Sequence, residues 1–403
     1  MTQTASNVYP VPEGWQPYHV DDIKSPEPHS CVAGPFGSKI SSRYFADEGV
    51  PVIRGNNLRD DLTRFVPEGF VFVSEAKAQE YRPQHTHGGD LVFTCWGTIG
   101  QVGLVPEYGP YPEYIISNKQ LKLRVNRSVA DPLFCFYYFA SPRYVEYIRN
   151  RGIGGAVPGI NLGILKSLPI ALPPVKIQRY IADILSAYDA LIENNQRRMT
   201  LLEEASWQLY REWFVRLRFP GHEHTRITHN VPEGWERTAF ENALVLQRGF
   251  DLPIQEREDG DVPIYGSTGI NGFHSKSRVQ GPGVVTGRSG TLGEVHYVTG
   301  DFWPLNTALW VKEFKRVTPL FSLFLIREMD LKQYNGGVSV PTLDRNTVHR
   351  VEVLVPPKNL LTAFDEFAIP LFEQMENLKQ QNQKLRAARD LLLPRLMSGE
   401  IAV

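Results

Sequence analysis

The 403-residue sequence predicts an α+β protein: two homologous, globular, mixed α/β domains separated by two long helices. The helices are expected to form an antiparallel coiled coil and to give the chain a pseudo-two-fold. Three observations carry this reading. The pentapeptide VPEGW stands at 11–15 and again at 231–235. The segments that follow each copy repeat in one order along the chain. Each repeat ends in a long stretch whose apolar residues alternate at spacings of four and three, the mark of a narrow helical seam.

The first domain is placed at 1–172. Within it GDLVFTCWGTIGQVG (89–103) reads as a short apolar strand running into a glycine-rich turn. The counterpart in the second domain (220–355) is GPGVVTGRSGTLGEV (281–295), so Gly97, Thr98 and Gly100 correspond to Gly290, Thr291 and Gly293. An asparagine then precedes another strand in both copies, Asn118 in ISNKQLKL and Asn306 in PLNTALWV. GGAVPGINLGILKSLPIALPP (154–174) matches GGVSVPTLDRNTVHRVEVLVPP (336–357). Asn161 and Asp344 lie three residues after the proline of VP, where each suits a helix N-cap. After the double prolines come the spacer helices, over 173–219 and 356–403. Self-similarity on this scale marks two homologous halves and not a short-period solenoid.

In the first helix the seam is read as Ile177, Ile181, Ile184, Tyr188, Leu191, Leu202, Ala205 and Leu209. In the second it is read as Phe364, Phe367, Leu371, Met375, Leu378, Asn382, Leu385, Ala388 and Leu392. Asn195 and Asn382 are assigned the task of fixing register, since a polar residue in such a seam does so at some cost in stability. Pro370 is expected to kink or restart the second helix. A helix over 177–214 would measure ~57 Å.

Composition narrows the class. The length suggests two to four domains, and 42% hydrophobic with 22% charged residues fits a globular chain rather than a disordered one. There is no run of eighteen apolar residues for a membrane span, and the start is neither basic nor apolar, so neither membrane helix nor signal peptide is expected. Cys31, Cys95 and Cys135 lack CxxC spacing and suit reduced thiols in the cytoplasm. The net charge of −1 confines any nucleic-acid surface to local patches.

The paired VPEGW copies, GGAVPGINLGILKSLPIALPPVKIQRYIADIL, EWFVRLRFPGHE closing the first helix and the C-terminal LLLPRLMSGEIAV resemble the specificity subunits of type I restriction-modification enzymes. The likeness spans nearly the whole chain. It departs after the double prolines, where that family usually has Glu-Gln: the first copy keeps only Gln178, and PPKNLLTAF has neither. The resemblance implies two target recognition domains, each reading one half of a split DNA site, with the helices as spacer. It implies double-stranded DNA, two modification subunits and restriction/translocase subunits as partners, and no membrane. The modification subunits would methylate adenine with S-adenosylmethionine, and the restriction subunits would use ATP and Mg. The chain itself would bind no cofactor and perform no chemistry.

A separate search for chemistry agrees. The sequence has no GxxxxGK[ST], no strand-GxGxxG-helix and no Asn-Pro-Pro-aromatic or Asp-Pro-Pro-Tyr segment. Glu68, Glu75 and Lys77 imitate a nuclease set only loosely. His85 and His87, or His222, Glu223 and His224, lack further metal ligands at recognisable spacing. Without those motifs a self-sufficient methyltransferase-nuclease is disfavoured. A stand-alone bipartite DNA-binding regulator is the alternative reading.

Base readout needs forked donors and amides, and affinity needs cations near phosphates. In the first domain the candidates are Arg43, Arg54, Asn56, Asn57, Arg59, Arg64, Lys77 and Arg82, centred on VIRGNNLRD (52–60). In the second they are Asn271, His274, Lys276 and Arg278 in YGSTGINGFHSKSR, and Arg288 in TGRSGT. Trp207, Trp213 and Phe214 are candidates for docking a partner subunit, or for packing on the chain's own domains.

Overall fold

The computed structural model describes residues 8–154, 158–337, 339–401 and 403. Outside them lie residues 1–7, on which part of the N-terminal reading rests, and Gly155, Ala156, Val157 and Val338 of the two GG-to-VP segments. The chain divides into two units, 1–193 with 382–403, and 194–381.

The first unit runs β1 (Gln16–His19), β2 (Cys31–Ala33), β3 (Val50–Ile53), β4 (Leu91–Thr94), β5 (Val102–Leu104), β6 (Tyr114–Ile116), β7 (Gln120–Leu123), α1 (Pro132–Ala140), α2 (Leu162–Lys166), β8 (Pro169–Leu172) and the start of α3 (Val175–Tyr210). β1 pairs antiparallel with β8. An antiparallel sheet has the order β2-β7-β4-β5. A second sheet contains the parallel pair β3 and β6, Val52 opposite Ile115.

The second unit repeats this plan with β9 (Glu236–Ala239), β10 (Leu244–Arg248), β11 (Val262–Gly266), β12 (Gly269–His274), β13 (Gly283–Gly287), β14 (Val295–Val298), β15 (Trp303–Pro304), β16 (Ala308–Phe314), α4 (Pro319–Glu328), α5 (Arg345–His349), β17 (Glu352–Val355) and much of α6 (Lys358–Met397). β9 pairs antiparallel with β17, the antiparallel sheet has the order β10-β16-β13-β14, and β11 and β15 form the parallel pair. The two halves therefore share the terminal strand pair, the order of the four-stranded sheet and the parallel pair, while the sheet around that pair has five strands in the first unit and three in the second.

Local chemistry explains the repeats. In each VPEGW the tryptophan N–H donates to the proline carbonyl, Trp15 to Pro12 at 3.1 Å and Trp235 to Pro232 at 3.0 Å. Gly14 and Gly234 hold φ of 82° and 84°, a conformation that suits glycine at the third position of a turn. The phrase recurs because each half begins with the same turn before the strand that pairs with its last strand. Asn161 caps α2 by accepting from Ile164 N–H at 2.9 Å, and Asp344 caps α5 by accepting from Asn346 N–H at 3.0 Å. Asp131 and Thr318 cap α1 and α4, each followed by a proline at the first helical position.

Inside each unit α3 and α6 run antiparallel. In the first unit Ile192 meets Asn382 and Asp189 meets Arg389. In the second, Met199 and Met375 line one cleft, while Tyr210 packs on Phe364. The seam differs from the sequence reading in one of its two alternating rows. Ile181, Asn195 and Asn382 are buried as expected, but beside them lie Gln178, Leu185, Ile192 and Ser206 instead of Ile177, Ile184, Leu191 and Ala205. On α6, Ala368 and Arg389 take the inner places read as Phe367 and Ala388. Polar residues occupy true seam positions, which hid the phase. Pro370 does not restart the second helix: α6 is continuous from Lys358 to Met397. The flanking Phe364, Ala368 and Phe372 are buried in the core, and that burial outweighs the ~3 kcal/mol helix penalty of proline.

Candidate nucleic-acid interface

In each unit the parallel strand pair ends where the repeated segments converge. In the first, the chain leaves β3 at Arg54 and β6 at Ser117, and Ser117 N–H donates to the Ile53 carbonyl at 3.0 Å. The turn Cys95–Gly100 joins them: Cys95 N–H donates to the Lys119 carbonyl at 2.8 Å, and Ile160 N–H donates to the Cys95 carbonyl at 2.9 Å. Trp96 bridges to Gly159 beyond the VP proline. In the second unit Arg288 N–H donates to the Thr307 carbonyl at 2.9 Å, Leu343 N–H to the Arg288 carbonyl at 2.8 Å, and Ser289 bridges to Thr342. Glycine is required at the turn itself, since Gly97, Gly100, Gly290 and Gly293 all have φ between 86° and 98°.

Three motifs that are far apart in sequence thus form one edge per unit. In the first it presents Arg54, Asn56, Trp96, Thr98 and Asn118, all exposed; in the second it presents Thr291 and Thr307, with Arg288, Ser289 and Asn306 half-buried. The donor types suit base edges and phosphates, and several also bond within their own unit: Asn56 to the Gly69 carbonyl, Asn118 to the Gly37 carbonyl, Arg288 to the Asn306 carbonyl and Asn306 to Asp251. Burial pushes the Cys95 thiol up to about 11, so it is a neutral packing group there and not a nucleophile.

The other candidates are distributed differently. Arg43 lies over the Tyr44 ring at 4.5 Å and Lys77 over the same ring at 4.1 Å, with Lys77 also bonded to Glu80 at 2.6 Å. Arg82 donates to Gln79 at 3.1 Å, and Arg59 is exposed. Asn57 is fully buried: its amide donates to the Val66 and Glu68 carbonyls and its oxygen accepts from Arg54 N–H, so it shapes the loop from within. Arg64 turns toward Tyr137 and Asp189. Asn271 is held by Arg257, His274 is buried against the backbone of Glu258, and Lys276 pairs with Glu258 at 3.3 Å. Arg278 lies over the Phe250 and Trp303 rings. Trp213 and Phe214 are buried with Phe364 in the second unit's core and Trp207 stacks on Tyr210, so these rings pack on their own domain.

Sequence reasoning overlooked Trp96, Asn118 and Asn306 as surface groups of this edge, although the repeat contained them. It also overlooked Arg149, which donates to the Ile99 carbonyl at 3.2 Å and supports the first turn. Among the described residues no group of three or more His, Cys, Asp or Glu side chains is arranged to hold a metal ion. No helix there is long and apolar enough to cross a membrane.

Residues 36–204 match the type I restriction modification DNA specificity domain. The type I restriction enzyme MjaIX specificity subunit of Methanocaldococcus jannaschii is 23% identical over 98% of this chain and 95% of its own length. The HindI specificity subunit of Haemophilus influenzae is 20% identical over 72% of this chain and 81% of that protein. Among solved structures, the S subunit of a type I restriction-modification system from M. genitalium shares the fold, with a TM-score of 0.58 at 15% identity over 95% of this chain and 96% of that one. The likeness is to a class of DNA-specificity proteins. Over nearly its whole length the chain is similar to type I restriction enzyme specificity subunits, and residues 36–204 match their DNA specificity domain.

Proposed function

We propose that this chain reads a split site in double-stranded DNA, one half with each unit, and directs partner subunits to it. The observation that carries the reading is the duplicated edge: one topology, used twice, gathers the glycine turn, the asparagine segment and the VP loop, each time with exposed donors. Two modification subunits methylate adenine using S-adenosylmethionine, and restriction subunits translocate and cut with ATP and Mg. The chain holds none of these cofactors, and the assembly works in the cytoplasm. The lengthwise likeness to named specificity subunits favours this over a stand-alone regulator.

Methylation mapping in cells with and without the gene tests it. Modified sites should share two fixed words around a constant unread gap and disappear with the gene. Replacing Arg54 or Arg288 with Ala is expected to weaken specific binding by ~1–3 kcal/mol where that side chain forks a guanine. Unchanged methylation in both variants would remove them from the reading set.

A further inference from the structure

We infer that Asp189 and Arg389 are positioning residues for DNA recognition: through Arg64 they tie the reading loop of the first unit to the long helices. The inference rests on the function proposed above. Asp189 lies on α3 with its side chain 14% exposed, and Arg389 on α6 with 6%. One carboxylate oxygen of Asp189 accepts from Arg389 Nη1 at 2.6 Å. The other accepts from the Tyr137 hydroxyl of α1 at 2.5 Å and from Arg64 Nη2 at 3.5 Å. Arg64 Nη2 also donates to the Tyr137 oxygen at 3.2 Å. A single carboxylate on α3 therefore joins two cations and a phenol from three other segments.

Arg64 belongs to the loop that presents Arg54 and Asn56. Its carbonyl accepts from Leu104 N–H at 2.8 Å, and two residues later Val66 N–H donates to the Asn57 carbonyl at 3.0 Å. Asn57 closes the loop through Arg54 N–H at 2.9 Å, and Asn56 donates to the Gly69 carbonyl at 3.0 Å. Any shift of Arg64 is passed by these bonds to the exposed side chains.

Among the described residues, the equivalent place in the second unit is apolar. Aligning the double prolines sets Phe372 at the position of Asp189, and aligning Pro132 with Pro319 sets Phe324 at that of Tyr137. These rings meet at a centroid distance of 6.1 Å, an apolar contact without directional bonds. The second unit's polar ties to the long helices lie elsewhere, Arg327 with Glu203 at 2.7 Å and Thr318 with Asp365 at 3.0 Å, away from its reading edge.

The test uses the full chain assembled with its modification subunits, assaying methylation of duplexes that carry single base changes in one half-site or the other. Asp189→Asn, Arg389→Met and Arg64→Met should each lose selectivity roughly tenfold at one and the same half-site, leaving the other intact. Arg64→Lys should recover part of it. Phe372→Ala should not lose selectivity at that half. Selectivity unchanged at both halves in the three variants, whatever happens to melting temperature, overturns the inference; so does a loss spread evenly over both. A wild-type complex without selectivity at either half would overturn the functional reading itself, and this inference with it.

Discussion

Single residues decide where this sequence was readable and where it was not. Gln178 is fully buried, with its oxygen accepting from Asp131 N–H at 2.8 Å and its amide donating to the Val129 and Pro173 carbonyls. It fastens the start of α3 to its own domain. The aligned position in the second half is Leu361, also buried, so the missing glutamine there is a change from a hydrogen-bonded anchor to an apolar one. No sequence pattern distinguishes those two solutions. His349 offers a test of the same kind. Its Nε2 accepts from Leu246 N–H at 3.0 Å, and burial lowers its pKa below the ordinary histidine value. The folded state then binds fewer protons than the unfolded chain below about pH 6.5, so this contribution is complete above that pH and is lost as pH falls through it. His349→Gln keeps an acceptor without a titrating ring. Urea unfolding of both proteins at about pH 5 and 7.5 should show a shallower acid loss in the variant.

At the scale of elements, the caps, the glycine turns and the existence of both long helices were legible, because each rests on local chemistry. The phase of the seam was not. A rule that seeks apolar residues chooses Leu191, which is 51% exposed, over its neighbour Ile192, which is 7% exposed. It passes over Gln178, Ser206 and Arg389 because burial of a polar group is intelligible only once its partner is known. The two phases predict opposite outcomes. Ile192→Ala should cost about 2–4 kcal/mol, and Leu191→Ala less than about 0.5 kcal/mol, by denaturant unfolding. The reading edge was equally hidden: its motifs were visible one by one, but only strand pairing brings 54–57, 95–100, 117–119 and 158–160 together. Arg64 and Asn57 show why donor-rich loops mislead, since both are donors spent on the protein itself.

For the whole molecule the proposed function makes the helices a measure of the unread gap. Inserting seven residues into both α3 and α6 preserves the seam's phase and adds roughly 10 Å of helix, about three base pairs of DNA. Sequenced methylation sites should keep both words and show a longer gap; altered words at a constant gap would refute the ruler. The duplication itself was plain in the sequence, yet the division into units was not, because residues 382–403 belong with 1–193. Leu393, Leu396 and Met397 are fully or almost fully buried in the core that also holds Ile181, Ala182 and Leu185. During synthesis this has a temporal consequence. A ribosome that has released residues 1–193 still has roughly 200 to make before those three side chains emerge, on the order of tens of seconds at ~5–20 residues per second. The amino-terminal lobe is therefore the first to be born and the last to be closed.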